Sequence, residues 1–127
     1  MKYLSYFPKL DKTAINLGAT ITGNVEIGKD VNLWFNATVR GDMAGITIGE
    51  GTNIQDNVVV HTNTNSKTSI GKFVTVGHSA IVHAATVKDY ALIGMGSIIL
   101  DKAVVEEYAM VAAGTVVPPG KIVPSRH

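Results

Sequence analysis

Residues 87–117 read VKDYALIGMGSIILDKAVVEEYAMVAAGTVV. Every sixth residue in this stretch is a β-branched aliphatic: Val87, Ile93, Ile99, Val105, Val111 and Val117. Four positions after each of the first five sits a small or β-branched side chain: Ala91, Ser97, Ala103, Ala109 and Thr115. β-Branched residues lose rotamer freedom in a helix and pack well on a pleated surface, so the stretch reads as short strands. One large and one small inward position per six residues fits a β-solenoid. Each hexad supplies a strand and a turn, and three hexads close a triangular coil of about 18 residues. Coils stack at the parallel-strand spacing of ~4.8 Å. A single coil cannot bury its apolar face, so stacking supplies the core.

The same period extends outward. Upstream it reads Ile15, Ile21, Ile27, Leu33 and Val39, then resumes after a three-residue insertion around Met43–Gly45 at Ile48 and Ile54, and again at Ile70 and Val76. The whole chain carries 16 Val and 12 Ile against 6 Leu, with 13 Gly spread along it. An ordinary sandwich would need apolar–polar alternation and turn signals every ~8–12 residues. The expectation is an all-β parallel β-helix forming a single domain over residues 1–127. Tyr3, Tyr6 and Phe7 are expected to cap the first coil, and Met95 and Met110 to fill interior or pocket space.

Composition narrows the function classes. Lys and Arg together number 11 and Asp and Glu 10, so no basic footprint for nucleic acid or an anionic membrane exists. The absence of cysteine excludes a disulfide framework, a thiolate zinc site and an iron–sulfur cluster. No apolar run approaches the ~18 residues of a membrane span, and the first residues do not resemble a signal peptide. The expectation is a soluble cytoplasmic protein.

A scaffold gains nothing from interruptions of its own repeat, so function is sought where the period breaks. Between Val60 and Ile70 lie four extra residues within the polar stretch His61-Thr62-Asn63-Thr64-Asn65-Ser66-Lys67-Thr68, which reads as a protruding loop. Between Ala80 and Ala85 one residue is missing, and that tight step contains His83. Three of the four histidines, His61, His78 and His83, sit at these breaks. The His61–His83 separation of 22 is one coil plus the inserted loop, which predicts two imidazoles one rung apart on one face. Such a pair suits two ligands of one tetrahedral metal. His78 lies a corner earlier and should point away, so within one chain it cannot complete the site. In a threefold-symmetric trimer it would meet the pair across an interface. The competing reading is three polar residues on a solvated face.

Three segments carry a family resemblance. Asn53-Ile54-Gln55-Asp56-Asn57-Val58-Val59-Val60-His61, then Val76-Gly77-His78-Ser79-Ala80-Ile81-Val82-His83, and upstream Val39-Arg40-Gly41-Asp42 resemble the γ-class carbonic anhydrase family, in its shorter bacterial and archaeal members. With the hexads, the likeness runs from about Ile15 to Val123. The resemblance implies a left-handed parallel β-helix, a homotrimer, and one zinc, iron or cobalt at each subunit interface. It implies that His61 and His83 bind the metal from one chain and His78 from its neighbour. Reversible hydration of carbon dioxide to bicarbonate by a metal-bound hydroxide would follow. Gln55 matches the residue that orients water or substrate, and Asn53 a polar neighbour, although a plain corner asparagine reads equally well. Arg40, Asp42 and Asp56 match charged residues that join subunits and support the site; ordinary surface ion pairs are their alternative.

Two departures stand out. Met43 follows Asp42 where the archetype of the family has a glutamate for proton transfer, which leaves regeneration of the hydroxide to buffer or another group. The family's C-terminal helix has no counterpart in the sequence after Pro124. These departures motivate a catalytically silent metal-binding trimer as a second hypothesis. A hexapeptide acyltransferase, with one histidine as general base and an acyl-CoA between subunits, is a third.

Overall fold

The computed structural model describes residues 6–126. Among these residues the chain is all strand and turn, and every strand pairing is parallel. The strands wind into a solenoid of about six coils. One side is a six-stranded sheet running from Ile15–Asn16 through Asn32–Leu33, Asn53–Ile54, Thr75–Val76 and Leu92–Ile93 to Met110–Val111. The other two sides form one eleven-stranded sheet, because Thr20–Ile27 and Thr38–Ile48 run through a corner without interruption.

The inward positions are those of the hexad. Leu33, Ile54, Val76 and Ile93 stack in register along one side and are fully buried. Val39, Val60, Val82 and Ile99 do the same along the second side, and Ile48, Ile70, Val87 and Val105 along the third. The small position is equally buried, at Val31, Ala37, Ala80, Ala91, Ser97, Ala103 and Ala109. A larger side chain there would collide with the aliphatic column of the same coil.

Four expectations fail at the level of single residues. Ile15 lies one step out of phase: Asn16 pairs with Leu33, and Ile15 pairs with outward-facing Asn32 and is exposed. Phe7 is 87% exposed, Tyr6 is half-exposed, and Tyr3 lies outside the described residues. The first coil is instead flanked by Lys9–Leu10, which pairs with Thr20–Ile27. Met95 and Met110 are exposed as well. Strand parity explains Met110, because it immediately precedes inward Val111 and so faces out. Met95 lies two residues after inward Ile93, on the turn that follows the strand.

The corner carrying the three-residue insertion depends on glycine. A Cβ on Gly23, whose φ is 83°, would stand 2.5 Å from the Gly41 carbonyl oxygen. One on Gly41 would stand 2.6 Å from the Asn24 carbonyl. The backbones of successive coils touch here, and only glycine permits it. The pairing register then jumps from Gly23↔Gly41 to Val25↔Ile46. This bulge sets Arg40 and Asp42 on either side of the contact.

Another corner carries an exposed aromatic ladder. Phe73, Tyr90 and Tyr108 occupy equivalent turn positions with φ of 54°, 63° and 60°. Their rings stack at 5.6 Å and 4.9 Å between centroids with nearly parallel planes, and the Arg126 guanidinium covers the Tyr108 face at 5.4 Å. The ladder offsets the left-handed backbone that each turn imposes. Tyr90→Ala removes both stacks and keeps the strained backbone, so a loss of about 2 kcal/mol is expected in urea unfolding. Phe73→Ala removes a single stack and should cost about half as much.

Candidate metal centre

His61 ends the strand Val59–His61 and His83 ends Ile81–His83; the two residues are paired in register on adjacent rungs. Their ring centroids are 5.2 Å apart with planes tilted by 52°. The missing residue after His83 is absorbed by Ala84, which adopts φ 50° and directs its amide to the His61 carbonyl and to Thr68 Oγ1. Thr68 Oγ1 in turn donates to the His61 carbonyl. These bonds tie the tight step to the preceding rung, and the Ala84 carbonyl accepts from the Lys102 amide of the following one at 2.7 Å.

Each of these histidines has its own carboxylate. Asp42, almost fully buried, uses Oδ1 at 2.8 Å from His61 Nε2 and Oδ2 to accept a bond from Arg40 Nη1 at 3.0 Å. Burial pushes the Asp42 carboxyl up, but the His61 bond and the Arg40 charge outweigh it and hold the group below its ordinary range. Asp101 lies on the next coil, with Oδ1 2.6 Å from His83 Nδ1 and Oδ2 accepting from Asn63 Nδ2 at 2.7 Å. Those bonds, Asn63 first and His83 second, keep the Asp101 carboxyl below its ordinary range.

The inserted loop reaches over this site. Asn63 and Ser66 exchange both backbone hydrogen bonds around a turn in which Asn65 has φ 64°. At its base Thr62 Oγ1 accepts from the Ala44 amide, joining the loop insertion to the Met43–Gly45 insertion.

The remaining candidates gather at a different corner. Asn53, Gln55, Asp56 and His78 line a cavity of about 270 Å³ together with Trp34 and Phe35. His78 is half-exposed, with Nδ1 3.7 Å from Asp56 Oδ1. Asn53 donates to Asn32 Oδ1, which also accepts from the Trp34 indole at 2.8 Å. Trp34 packs edge-on against Phe35 at 6.0 Å. The eight candidates therefore fall into two groups: Arg40, Asp42, His61 and His83 in one, Asn53, Gln55, Asp56 and His78 in the other. Within one chain no cluster of three His, Cys, Asp or Glu residues converges as a metal site among the described residues.

Sequence reasoning missed Asp101, Asn63, Thr68 and Asn32. Asp101 stands 18 residues after His83, but the register there is 17, pairing Val82 with Ile99, so coil counting does not single it out.

Comparison with known proteins narrows the family. No family model matches the chain. A hexapeptide transferase family protein from Anaplasma phagocytophilum, known from its crystal structure, superposes with a TM-score of 0.89 at 54% identity, covering 93% of this chain and 70% of that one. A carbonic anhydrase of Geobacillus kaustophilus is 53% identical over 83 residues, which are 65% of this chain and 46% of that protein. This chain belongs to the γ-class carbonic anhydrase-like family of hexapeptide-repeat proteins. The mitochondrial γ carbonic anhydrase 2 of Arabidopsis thaliana is 47% identical over 101 residues, 74% of this chain and 36% of that protein. The chain thus spans less than half the length of these two curated relatives. Among the described residues no helix is long and apolar enough to cross a membrane.

Proposed function

We propose that the chain acts as a γ-type carbonic anhydrase: a cytoplasmic homotrimer in which His61 and His83 of one copy and His78 of the partner subunit hold one zinc ion, with iron or cobalt as alternatives. The observation that carries this reading is the division of the candidates into two groups. Two imidazoles stand together on adjacent rungs, while the third stands beside Gln55 at another corner. A tetrahedral centre can use all three only if different copies bring the two corners together.

The donor chemistry fits such a cation. Three neutral imidazoles suit zinc, and carboxylates stand behind the ligands, as is usual at such sites. Asp101 bonds His83 Nδ1 and Asp56 approaches His78 Nδ1 at 3.7 Å, so neither carboxylate occupies the Nε2 of its ring. At His61 the arrangement is reversed, with Asp42 on Nε2. When bound, the cation supplies a Lewis acid that makes water nucleophilic near neutral pH.

The chain's own residues supply the rest. Gln55 is uncharged, so it can orient water or substrate by hydrogen bonding without adding charge. Asn53 is steadied by Asn32, which also fixes the Trp34 ring. Arg40 and Asp42 hold His61, and the glycine contact at Gly41 keeps both in place. Carbon dioxide enters and bicarbonate leaves by the corner that Trp34 and Phe35 wall.

Met43 has no proton to give, so turnover should depend on buffer. Stopped-flow hydration of carbon dioxide by zinc-, iron- and cobalt-loaded protein tests the proposal. Rates should rise several-fold with imidazole buffer and saturate, and Met43→Glu should flatten that dependence. Rates at the uncatalysed level with every metal, in a protein that binds them, would leave the silent trimer. The name of the Anaplasma relative favours one other reading, a hexapeptide acyltransferase. CoA-dependent acetylation of small amines by metal-free protein is the result that would establish it.

A further inference from the structure

We propose that Asp101 is the positioning residue of His83, holding its proton on Nδ1 so that Nε2 presents the lone pair to the divalent cation, and that the inserted loop exists to lock this carboxylate through Asn63. The inference rests on the metal-centre reading above and extends it to two residues outside the three histidines.

The geometry leaves little freedom. A carboxylate at neutral pH only accepts hydrogen bonds, so the 2.6 Å contact requires the hydrogen on His83 Nδ1. The ring is then the tautomer whose Nε2 is unprotonated, the form a cation needs. The second Asp101 oxygen is occupied by the Asn63 amide, so the carboxylate cannot turn away from the ring. Asn63 belongs to the coil of His61, and Asp101 to the coil after that of His83. The loop therefore spans the rung of His83 from one side to the other. Four inserted residues achieve this reach, and the paired backbone bonds between Asn63 and Ser66 stiffen it.

His61 provides the internal contrast. Its carboxylate engages Nε2, the opposite nitrogen. Of two rings 5.2 Å apart, only His83 has its Nε2 prepared by a partner on the far side. Asp101 and His83 are about 30% exposed, so water could replace the carboxylate unless something held it. Asn63 is that restraint.

Two readouts separate this proposal from the reading it rests on. In metal-free protein at about pH 8, above the ordinary imidazole range, ¹⁵N NMR should show His83 as the Nδ1–H tautomer. In Asp101→Ala and in Asn63→Ala the population should shift toward Nε2–H. Zinc affinity, measured by chelator competition, should fall about 10–100-fold in Asp101→Ala. It should fall less in Asn63→Ala, and Asp101→Asn should restore part of the loss, since its carbonyl oxygen still accepts. A purely structural role would lower thermal stability without moving the tautomer. Should Asp101→Ala fail to fold, the wild-type spectrum and Asn63→Ala decide alone. A wild-type His83 protonated on Nε2 overturns the proposal even if zinc binds. Wild-type protein that binds no zinc, iron or cobalt refutes the metal centre, while the tautomer still decides what Asp101 does.

Discussion

His78→Ala should yield an intact trimer that carries almost no metal, where the unsubstituted protein should carry about one ion per chain. His78 is half-exposed at a corner, and its ring approaches the Asp56 carboxylate at 3.7 Å. Its removal opens no core cavity, so unfolding should shift by no more than the ±0.5 kcal/mol usual for surface changes. Hydration of carbon dioxide should nonetheless fall by more than the ~10–100-fold that loss of an outer partner costs. Metal content by mass spectrometry and mass by light scattering are read on the same sample. Unchanged metal content in the variant would place the third ligand elsewhere.

The second large effect concerns the scaffold. Ile93 is fully buried, stacked between Val76 and Val111 in the aliphatic column, and away from the histidines. Ile93→Ala leaves a void that the neighbouring coils cannot close, because each is pinned by its own ladder. A loss of about 2–5 kcal/mol is expected, against about 0.5–1.5 for Ile93→Val. In a stacked solenoid each coil is stabilised by its neighbours, so the damage should appear as early unfolding of the coils on either side. Hydrogen exchange resolved along the chain would show this. A uniform change across all coils would mean that the solenoid unfolds as one unit.

The core was legible because a strand-and-turn hexad fixes which side chain faces inward. One phase runs from Val87 to Val117, and each member is buried. Ile15 escaped that logic, because the first coil is shorter by one residue and only pairing with Asn32 reveals the slip. Met95 and Met110 do not fill the interior, because position in the hexad and not residue type decides their exposure. The aromatic ladder lies outside the inward pattern for a related reason: Phe73, Tyr90 and Tyr108 sit at turns. At the candidate site the rung arithmetic for His61 and His83 rests on chain length per coil, which a sequence displays directly. The hydrogen-bond partners do not follow from such counting. Asp101 reaches His83 across a coil, and Asn63 reaches Asp101 across two, through a loop whose path no periodicity specifies.

Mixing two defective chains tests the division of labour most directly. His78→Ala keeps the His61–His83 pair, and the double variant His61→Ala/His83→Ala keeps only His78. Neither alone should bind cobalt. Mixed trimers, isolated through two different affinity tags, should contain a single complete site and regain the visible absorption of cobalt on imidazole ligands, together with hydration activity. Mixed trimers that assemble yet stay colourless and inactive would contradict a centre built from two copies of this chain.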